Sequence, residues 1–507
     1  MSTKKLKDKA DMTQEELDLY DRGFLIDEDG EVAKFNANYY AIYIKKNYNL
    51  IYGSDGHFYS FDEGVWKQVP KFELLQFLRD ELQEPRFGVW NSRREEEYLK
   101  ALMRELYLIG EFNEHRHLIN MQNGMFDTET LELKDHNPDW YSTIQLPIEY
   151  DPEAKCPKFL TFLDQIFDGD KELVELAQQW FGYCMSMETK AQKALILYGS
   201  GGNGKGVFTD ILSQVVGEEN IAHVPLNELH KGFSRVTLYG KTLNLSSENE
   251  MGGKSMNTQY FKAITGEDTI TAEQKGKPVF SFRPTAKIVA STNNMPSTRD
   301  RSDGYFRRLS MIPFVKSFRG KKQDKHLRDK LLEELPGIFN WAVEGLVSLK
   351  ENEYQFVASK ASEDLLESYR LEMSPMMVFF EECIDHDEEG HRESNKQIYN
   401  FFKKWSEDNG HSGYANISNK KFWREFEAEA DRLGYKWESK RTGSFRYHTG
   451  IRIKKEFRQE LPKLRLHPDI RKELESEDEK QAEQGRKKAT EGQKTDEKSP
   501  SESKQNQ

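Results

Sequence analysis

Residues 195–206 join an apolar run to a glycine-rich segment that ends in lysine, and they read LILYGSGGNGKG. The apolar run is typical of a buried strand, and VFTDILSQVV after the loop is typical of a helix. Such glycines let backbone N–H groups converge on phosphate oxygens, while a lysine reaches the β- and γ-phosphates. A glycine-rich turn without a ligand is the alternative. We predict a phosphate-binding loop formed by Gly199, Ser200, Gly201, Gly202, Asn203, Gly204, Lys205, Gly206 and Val207.

This loop departs from the usual pattern at Gly206, where Ser or Thr normally helps to hold magnesium. A carboxylate further along the chain offers a second means of ordering the metal. Glu248 lies just beyond the short apolar run in KTLNLSSENE, and Glu250 lies two residues later. A carboxylate there can order magnesium-bound water and polarise the attacking water, although a solvated loop is the alternative. We expect ATP and Mg²⁺ as ligands, with Glu248, and secondarily Glu250, acting on the metal through water.

Two later segments add side chains that suit phosphoryl transfer. KIVASTNN predicts a buried strand that ends near Asn293, whose amide can orient water or contact the γ-phosphate. DGYFRRLSMIPF presents Arg307 and Arg308 before a final apolar strand. An arginine offered to the nucleotide of a neighbouring subunit would stabilise the charge that develops in the reaction. A surface ion pair is the alternative for either arginine, but the combined pattern favours an ATPase that works as a ring.

Between the Glu248 and Asn293 segments, the sequence predicts a hairpin from Thr269–Glu273 and Val279–Phe282. Its tip carries Lys275 and Lys277. Two lysines on a slender tip suit contacts with successive phosphates of a single strand that passes through a ring. A solvated turn is the alternative.

These motifs resemble the superfamily 3 helicases of the phage and plasmid primase–helicase type. The resemblance rests on GSGGNGKG, SENE, the TGEDTITA hairpin, STNNMP and FRRLSMIPF, which occur in the family's order. Upstream, LINMQNGMFD and FGYCMSM are similar to the domain that precedes the ATPase, also in poxvirus primase–helicases. The resemblance implies a hexameric ATPase that translocates on single-stranded DNA. It also implies roles for individual residues. Lys205 would bind phosphate, Glu248 would be the Walker B carboxylate and Asn293 the sensor. Arg308 would be the arginine finger, and Lys275 and Lys277 would contact DNA.

We expect a multidomain α/β chain in which a central AAA+-like P-loop ATPase with a parallel sheet follows a mixed α+β region. A winged-helix-like domain and a disordered tail come after it. The start of the chain, about 1–20, is highly charged and is expected to be loosely ordered. The expected regions are 1–90 (accessory), 91–185 (helicase-preceding), 186–320 (ATPase core), 321–372 (helical lid), 373–455 (winged-helix-like) and 456–507 (charged tail).

The last folded region is expected to contain helices at about 394–408 and 419–433, preceded by Ser394 and Ser418 as caps. A basic hairpin follows. Its cations could contact a DNA backbone, and origin recognition would then be one use of this domain. A hairpin that only docks on the motor is the alternative. The candidate DNA-binding residues are Lys440, Arg441 and Arg446 in the hairpin, with Tyr447 beside them and Lys420 and Lys421 at the start of the second helix.

Composition narrows the class of protein. The net charge of −12 argues against a protein that simply coats duplex DNA. The three cysteines are far apart, which excludes a zinc ribbon and fits a reducing compartment. The sequence shows no signal peptide and no membrane-spanning run, so we expect a cytoplasmic protein, in a bacterial host.

The leading hypothesis is an ATP-dependent ring helicase that unwinds DNA during replication of a phage, plasmid or mobile element. The expected partners are single-stranded and forked DNA, further copies of the chain, and possible origin duplex and replication proteins. An origin-binding or loading ATPase with little unwinding is one alternative. A primase–helicase is another, disfavoured because few residues precede the shared region and they lack a Cys cluster.

Overall fold

The computed structural model divides the chain into two compact units, Met1–Leu366 and Glu367–Gln507. It confirms a multidomain α/β architecture with a parallel sheet. The residues that the structure describes are 5–246, 256–276, 278–296, 298, 300, 302–318, 324, 326–386, 392–409, 411–442 and 445–460.

The first unit begins with a mixed α+β region. Its elements are α1 (Gln14–Asp21), β1 (Phe24–Ile26), β2 (Val32–Phe35), α2 (Ala37–Asn47), β3 (Leu50–Gly53), β4 (Phe58–Asp62), β5 (Val65–Val69), α3 (Lys71–Gln83), α4 (Ser92–Glu105) and β6 (Leu108–Ile109). The strands β5, β4, β3 and β6 form one sheet in that order. The alternating aromatic and polar residues of IYGSDGHFYSFDEGVWKQV predict a hairpin followed by a helix, and both are present, as β3 to β5 and α3. A single apolar core runs from Leu19 to Leu106, so packing is continuous across residue 90.

The expectation of a loosely ordered start is wrong for α1. Thr13 and Glu16 form a capping box, in which each side chain accepts a hydrogen bond from the backbone N–H of the other residue. Lys7 also lies 2.9 Å from a Glu16 oxygen, and Leu19 is fully buried. The capping box and one buried leucine stabilise this helix. The sequence does not predict it because most of its residues are charged or polar.

A second set of elements leads to the main sheet. They are β7 (Leu118–Met121), β8 (Gly124–Asp127), β9 (Glu132–Lys134), α5 (Pro157–Ile166) and α6 (Lys171–Met185). Met121 pairs with Gly124 across a tight turn, as the Asn123-Gly124 pair predicts. The α6 helix buries ten of its residues and has the apolar spacing that the sequence predicts.

The centre of the first unit is a five-stranded parallel sheet. Its strands are β10 (Ala194–Tyr198), β11 (Ile221–Ala222), β12 (Leu243–Ser246), β15 (Lys287–Thr292) and β16 (Leu309–Pro313). Between them lie α7 (Lys205–Val216), α8 (Gly232–Arg235), α9 (Thr258–Thr265), β13 (Ile270–Ala272), β14 (Phe280–Phe282) and α10 (Asp303–Phe306). The strand order is β11, β12, β15, β10, β16. Ligands of open parallel sheets bind beyond the carboxyl ends of the strands, where the order of connections reverses, and β10 ends at such a point.

The first unit continues into α11 (Leu327–Leu332) and α12 (Leu335–Glu351), and α13 (Lys360–Met373) runs across the boundary between the two units. The sequence predicts a break at Pro336-Gly337. The break lies just before Leu335, and Pro336 occupies the first turn of α12, where a missing N–H costs nothing. Gly345 lets α12 approach α6 closely, since a Cβ there would lie 2.5 Å from the Gln178 carbonyl oxygen.

The second unit has its own apolar core. Its elements are α14 (Pro375–Cys383), β17 (Ile384–His386), β18 (Glu393–Ser394), α15 (Asn395–Asp408), α16 (Ser412–Ala415), α17 (Asn419–Arg432), β19 (Glu438–Thr442), β20 (Phe445–Thr449) and β21 (Ile451–Ile453). The two expected helices are confirmed as α15 and α17. Ser418 accepts a hydrogen bond from Lys421 N at 3.3 Å, whereas Ser394 occupies the cap position without such a bond.

The end of the chain is described only as far as a short 3₁₀ turn at Lys455–Glu460. The charged, mostly disordered tail was expected at 456–507. Residues 456–460 belong to this turn, and 461–507 lie outside the described residues. Across the described ranges, every helix is too short or too polar to span a bilayer.

Candidate nucleotide site and nucleic-acid interface

The glycine-rich loop connects the end of β10 to the start of α7, as its sequence predicts. Gly202 and Gly204 have φ angles of +80° and +94°, which residues with a side chain rarely adopt. Gly204 is the residue that precedes α7, and a Cβ on it would lie 2.6 Å from Ile166 Cγ2. A Cβ on Gly199 would overlap the Phe314 carbonyl oxygen. The fold therefore requires glycine at these points and leaves the loop backbone close to any ligand.

Lys205 opens α7 and is buried beneath the loop. Its ammonium group donates to Asn293 Oδ1 at 2.9 Å and to the Gly199 carbonyl oxygen, with Ser200 O at 3.5 Å. Asn293 directly follows β15, and β15 is hydrogen-bonded to β10. The structure thus brings together two of the predicted site residues, which are far apart in sequence.

Asn203 fixes the loop to the neighbouring strand on the other side. Its Nδ2 donates to Phe314 O at 3.0 Å, and its Oδ1 accepts from Lys205 N at 3.4 Å. Asn203 is buried, so these bonds are shielded from water. The sequence places Asn203 in the loop but gives no sign of its contact with the residue after β16.

Gly206 lies exposed in the first turn of α7, and no atom lies within 4 Å of the position that a Cβ would occupy there. Val207 follows it and is half-buried, while Ser200 is exposed and Gly201 half-buried in the loop. The Thr209 hydroxyl donates to backbone oxygens of Lys205 and Gly206, each at 3.1 Å. A serine at position 206 would therefore fit without displacing any neighbour.

The predicted acidic residues Glu248 and Glu250 lie outside the described residues, which stop at Ser246 where β12 ends. The carboxyl end of β12 lies at the same sheet edge as the loop, because β12 is parallel to β15. Within the described ranges, no group of three or more His, Cys, Asp or Glu side chains could hold a metal ion.

Arg307 and Arg308 lie at the opposite edge of the sheet from the loop. The Arg308 carbonyl oxygen accepts from Ala194 N at 2.7 Å, where β10 begins. The length of β16 separates this point from the loop, about 15 Å at ~3.3 Å per residue. Arg307 is exposed and Arg308 half-buried. The structure therefore does not bring either arginine to the loop of its own chain.

The Arg308 side chain is held against two backbone segments. Its Nη1 donates to Gly304 O at 2.5 Å, and a Cβ on Gly266 would lie 3.2 Å from its Nη2. Its buried Nε has no hydrogen-bond partner in the described part of the chain. Burial lowers the pKa of Arg308, the charge of Arg307 lowers it further, and Asp268 opposes both. The side chain is thus held in place with one donor left unused.

The predicted hairpin is confirmed as β13 and β14, with Ile270 paired to Phe282 and Ala272 to Phe280. Lys275 and Gly276 lie exposed at the tip. Lys277 lies outside the described residues. The predicted position of the exposed lysine is therefore confirmed for Lys275.

The short helix α8 packs against β13 of this hairpin. Glu273 N donates to Gly232 O at 3.2 Å, and Arg235 Nε donates to Thr271 O at 2.7 Å. Between them, Phe233 is 60% exposed. Phe233 was not predicted from the sequence, where its only signal is an isolated aromatic residue in the polar segment HKGFSR.

In the second unit, β19 and β20 form the predicted basic hairpin. Arg441 lies directly opposite Arg446, and both are exposed, as is Lys440, which pairs with Glu438 at 2.5 Å. Residues directly opposite each other in an antiparallel pair lie on the same face, so the two arginines share one face of the hairpin. Tyr447 is buried instead of exposed.

The start of α17 adds two further exposed cations to the second unit. Lys420 and Lys421 are both exposed there. Lys421 lies 3.7 Å from Glu425 and 5.5 Å from the ring centre of Tyr414. Lys421 therefore has local partners within its own unit.

Three family models match successive parts of the chain. A model described as D5 N terminal like matches residues 33–168, and one described as poxvirus D5 protein-like matches residues 371–467. Between them, residues 197–308 match a family of unknown function, DUF5906. The two D5-type matches therefore flank the phosphate-binding loop and its sheet.

Two curated viral relatives carry the name putative helicase. The one from Acanthamoeba polyphaga mimivirus is 27% identical over 249 residues, which are 45% of this chain and 25% of the relative. The one from Invertebrate iridescent virus 6 is 25% identical over 360 residues, which are 62% of this chain and 37% of the relative. The chain thus spans between a quarter and two fifths of the length of these relatives.

Solved structures of the NrS-1 C-terminal region resemble the chain at low sequence identity. One has a TM-score of 0.47 and 14% identity, and covers 81% of this chain and 97% of the solved one. Another has a TM-score of 0.49 and 13% identity, with coverage of 82% and 98%.

Proposed function

The chain belongs to the phage- and poxvirus-like primase–helicase family, and from this premise we propose that it is an ATP-driven DNA helicase of superfamily 3. Its P-loop ATPase is the sheet and loop between residues 186 and 320, and it works as a ring, with six copies expected. The observation that carries the proposal is the contact of Lys205 with Asn293 beneath the glycine-rich loop.

This contact supports a site for a nucleoside triphosphate. The Lys205 ammonium group is held by Asn293 and by loop carbonyl oxygens. A triphosphate in the loop offers the same ammonium group negatively charged oxygens, and charge-assisted hydrogen bonds are the stronger ones. Asn293 is then released to orient the attacking water beside the γ-phosphate. Lys205 binds the β- and γ-phosphates, and Asn293 acts as the sensor.

The donor set around the loop suits magnesium held mainly by phosphate oxygens and water. Mg²⁺ keeps several waters and is usually bound through one or two carboxylates together with substrate phosphates. Gly206 supplies no hydroxyl, and its side of the loop is open. In this proposal Glu248, with Glu250 as a weaker candidate, orders the metal-bound water.

The position of Arg308 supports a site shared between subunits. Arg308 lies about 15 Å from the loop of its own chain, yet its side chain is held in place with a buried Nε unused. A neighbouring copy in a ring can present its triphosphate to this side chain. Arg308 is therefore the proposed finger, with Arg307 beside it as the second candidate.

The hairpin at β13 and β14 supports single-stranded DNA as the substrate on which the motor moves. Lys275 at the tip of the hairpin suits contact with a phosphate, as does Lys277. Phe233, on the helix packed against β13, presents an aromatic ring on which a nucleobase can stack. Because α8 is hydrogen-bonded to β13, the lysine and the ring belong to one packed element. Stacking and charge together would grip successive nucleotides.

In the second unit, we propose a winged-helix-like fold in which β19 and β20 form the wing and α17 the recognition helix. Lys440, Arg441 and Arg446 contact the backbone of duplex DNA. The support is that these three cations lie exposed on one hairpin, where they can contact phosphates. Origin DNA and other replication proteins are the partners that this unit would serve, in the cytoplasm of a host cell.

Hydrolysis of ATP in the presence of single-stranded DNA tests the motor. The wild-type protein should hydrolyse ATP faster when DNA is added, and Lys205→Ala should abolish this turnover because the phosphates lose their buried cation. Lys67→Ala removes an exposed lysine on β5 that pairs with Glu63, and it should retain turnover. ATP hydrolysis by Lys205→Ala at the wild-type rate would refute the proposed ATP site. Ribonucleotide incorporation on a single-stranded template would instead favour a primase–helicase.

A further inference from the structure

The segment that follows β16 runs along the flank of the glycine-rich loop opposite Asn293. Phe314 O accepts from Asn203 at 3.0 Å, and Phe318 N donates to Gly202 O at 2.8 Å. The strands β15 and β16 lie on opposite sides of β10. Residues 314–318 therefore border the loop on the side away from Asn293.

The end of α5 reaches the same flank of the loop. Its last residue, Ile166, lies against Gly204, where it occupies the space that a side chain would need. The next ring, Phe167, packs against Phe314 at 5.5 Å between ring centres and against Phe208 of α7 at 6.3 Å. This buried aromatic cluster fixes the end of α5 to the loop and to the segment after β16.

An ion pair joins these two segments beside the loop. Lys316 Nζ lies 2.6 Å from Asp168 Oδ1, and the side chains are 44% and 66% exposed. An ion pair with this exposure adds little to stability. Both groups are therefore available to a ligand from the solvent side.

A bound triphosphate has a direction in this site. In the proposed site, the γ-phosphate lies near Asn293, on the β15 side of the loop. The nucleoside then extends to the other flank, where Asp168 and Lys316 lie. A carboxylate is a suitable acceptor for the hydroxyl groups of a ribose, as in dinucleotide-binding folds.

We propose that Asp168 accepts a hydrogen bond from a ribose hydroxyl group of bound ATP and thereby favours ribonucleotides over deoxyribonucleotides. Lys316 is a positioning residue that holds the Asp168 carboxylate in place. The inference rests on the proposed ATP site but not on DNA unwinding. It assigns Asp168 and Lys316, which lie outside every sequence motif of the loop, to nucleotide selection.

Calorimetric binding of ATP, 2′-deoxy-ATP and 3′-deoxy-ATP, with Ca²⁺ in place of Mg²⁺ to prevent turnover, tests this inference. The wild-type protein should bind at least one deoxy analogue about tenfold more weakly than ATP. Asp168→Ala should bind ATP about tenfold more weakly and leave the affinity for that analogue unchanged. Lys316→Ala should lose part of the preference, and Lys316→Arg should restore it.

Asp210→Ala is the matched control, because Asp210 forms a similar exposed ion pair with Arg328 at 2.6 Å on α7. It should keep the wild-type preference. Equal affinity of the wild-type protein for all three nucleotides would overturn the inference, as would an equal loss for all three in Asp168→Ala. If the protein prefers ribonucleotides but never separates DNA strands, this inference is supported and the proposed motor function is refuted.

Discussion

At the scale of single residues, the glycine-rich loop contains two glycines with opposite requirements. Gly204 has a φ of +94° and lies against Ile166, so it has neither the conformation nor the room for a side chain. Gly206, two residues later, is helical and faces open space. The fold therefore requires glycine at position 204. It does not require glycine at position 206, where the side-chain hydroxyl that usually binds magnesium is missing.

We therefore expect Gly206→Ser to fold normally and to reach half-maximal hydrolysis at a lower Mg²⁺ concentration, because the added hydroxyl can join the metal shell. Gly204→Ala is the contrasting variant. Its left-handed backbone conformation should cost about 1–2 kcal/mol of folding free energy. Magnesium titrations of ATP turnover and denaturant unfolding measure the two effects. An unchanged magnesium requirement in Gly206→Ser would show that position 206 does not face the metal.

A second prediction for a single residue concerns Lys287, the first residue of the strand that leads to Asn293. It is buried, donates to the Ser186 carbonyl oxygen, and burial lowers its pKa to about 7. Unfolded, its pKa is near 10.5. The unfolded chain therefore binds more protons between about pH 7 and 10.5, and the stability of the wild-type protein should rise with pH across that window.

Lys287→Met should remove this rise and increase the thermal unfolding temperature at pH 7, because an apolar side chain of similar length replaces a buried amine. The difference from the wild-type protein should narrow towards pH 10. Lys231→Met changes an exposed lysine and serves as the control. Parallel stability profiles for wild type and Lys287→Met between pH 7 and 10 would contradict the prediction.

The sequence predicts single residues well where a motif fixes their place on a strand or helix. Lys205 and Asn293 were both predicted from apolar runs followed by characteristic side chains, and the structure places them 2.9 Å apart. The contact of Asn203 with Phe314 was not predicted, because 111 residues separate them and neither residue type indicates the other. Phe233 was missed because an isolated exposed ring has no periodic pattern.

At the scale of elements, the hairpin of β13 and β14 and the helix α8 form one structural element with two kinds of exposed side chain. Lys275 offers charge, and Phe233 offers an aromatic face. These contributions respond differently to salt, since only the contact of a cation with a phosphate releases counterions. The difference allows the roles of the two residues to be separated.

We expect Lys275→Ala to weaken binding to single-stranded DNA and to reduce the slope of log affinity against log salt by about 0.7. Phe233→Ala should weaken binding by about 1–3 kcal/mol with the slope unchanged, because a stacking contact is lost. Fluorescence anisotropy across a salt series measures both. Lys67→Ala, which changes a lysine on another hairpin, should match the wild type. A slope change in Phe233→Ala, or none in Lys275→Ala, would contradict this assignment.

Long elements with clear periodicity were predicted within a residue or two, as α15 and α17 illustrate. The N-terminal helix α1 was not, since it buries only Glu16 and Leu19 and its remaining residues are polar. Its order depends on the capping box and on packing against β1, with which it shares a core. Tertiary contacts of this kind leave little trace in local composition.

At the scale of the whole molecule, the sheet separates the loop from Arg308. One copy of the chain therefore has the proposed phosphate site at one edge of its sheet and Arg308 at the other. A ring of copies would bring these edges together and complete each ATP site from two subunits. The proposed inter-subunit role of Arg308 was predicted from the arginine pair before the last apolar strand and from the family resemblance, and the register of β16 with β10 is consistent with it.

Mixing variants tests this arrangement. Arg308→Ala should bind ATP normally but lose hydrolysis, and Lys205→Ala should lose hydrolysis as well. Mixed rings of the two variants contain some sites with an intact loop and an intact neighbouring arginine, so part of the turnover should return. Arg22→Ala removes a structural arginine that pairs with Glu84, and it should hydrolyse ATP when it folds. Full turnover by Arg308→Ala alone would exclude the shared site.

The most direct test of the central claim is displacement of a labelled strand from duplexes with a 5′ or a 3′ single-stranded tail. The wild-type protein should displace the strand from one of the two substrates, only with ATP and Mg²⁺, and Lys205→Ala should displace neither. ATP hydrolysis by the wild-type protein without displacement of either strand would contradict the claim of a helicase and would favour an origin-loading ATPase.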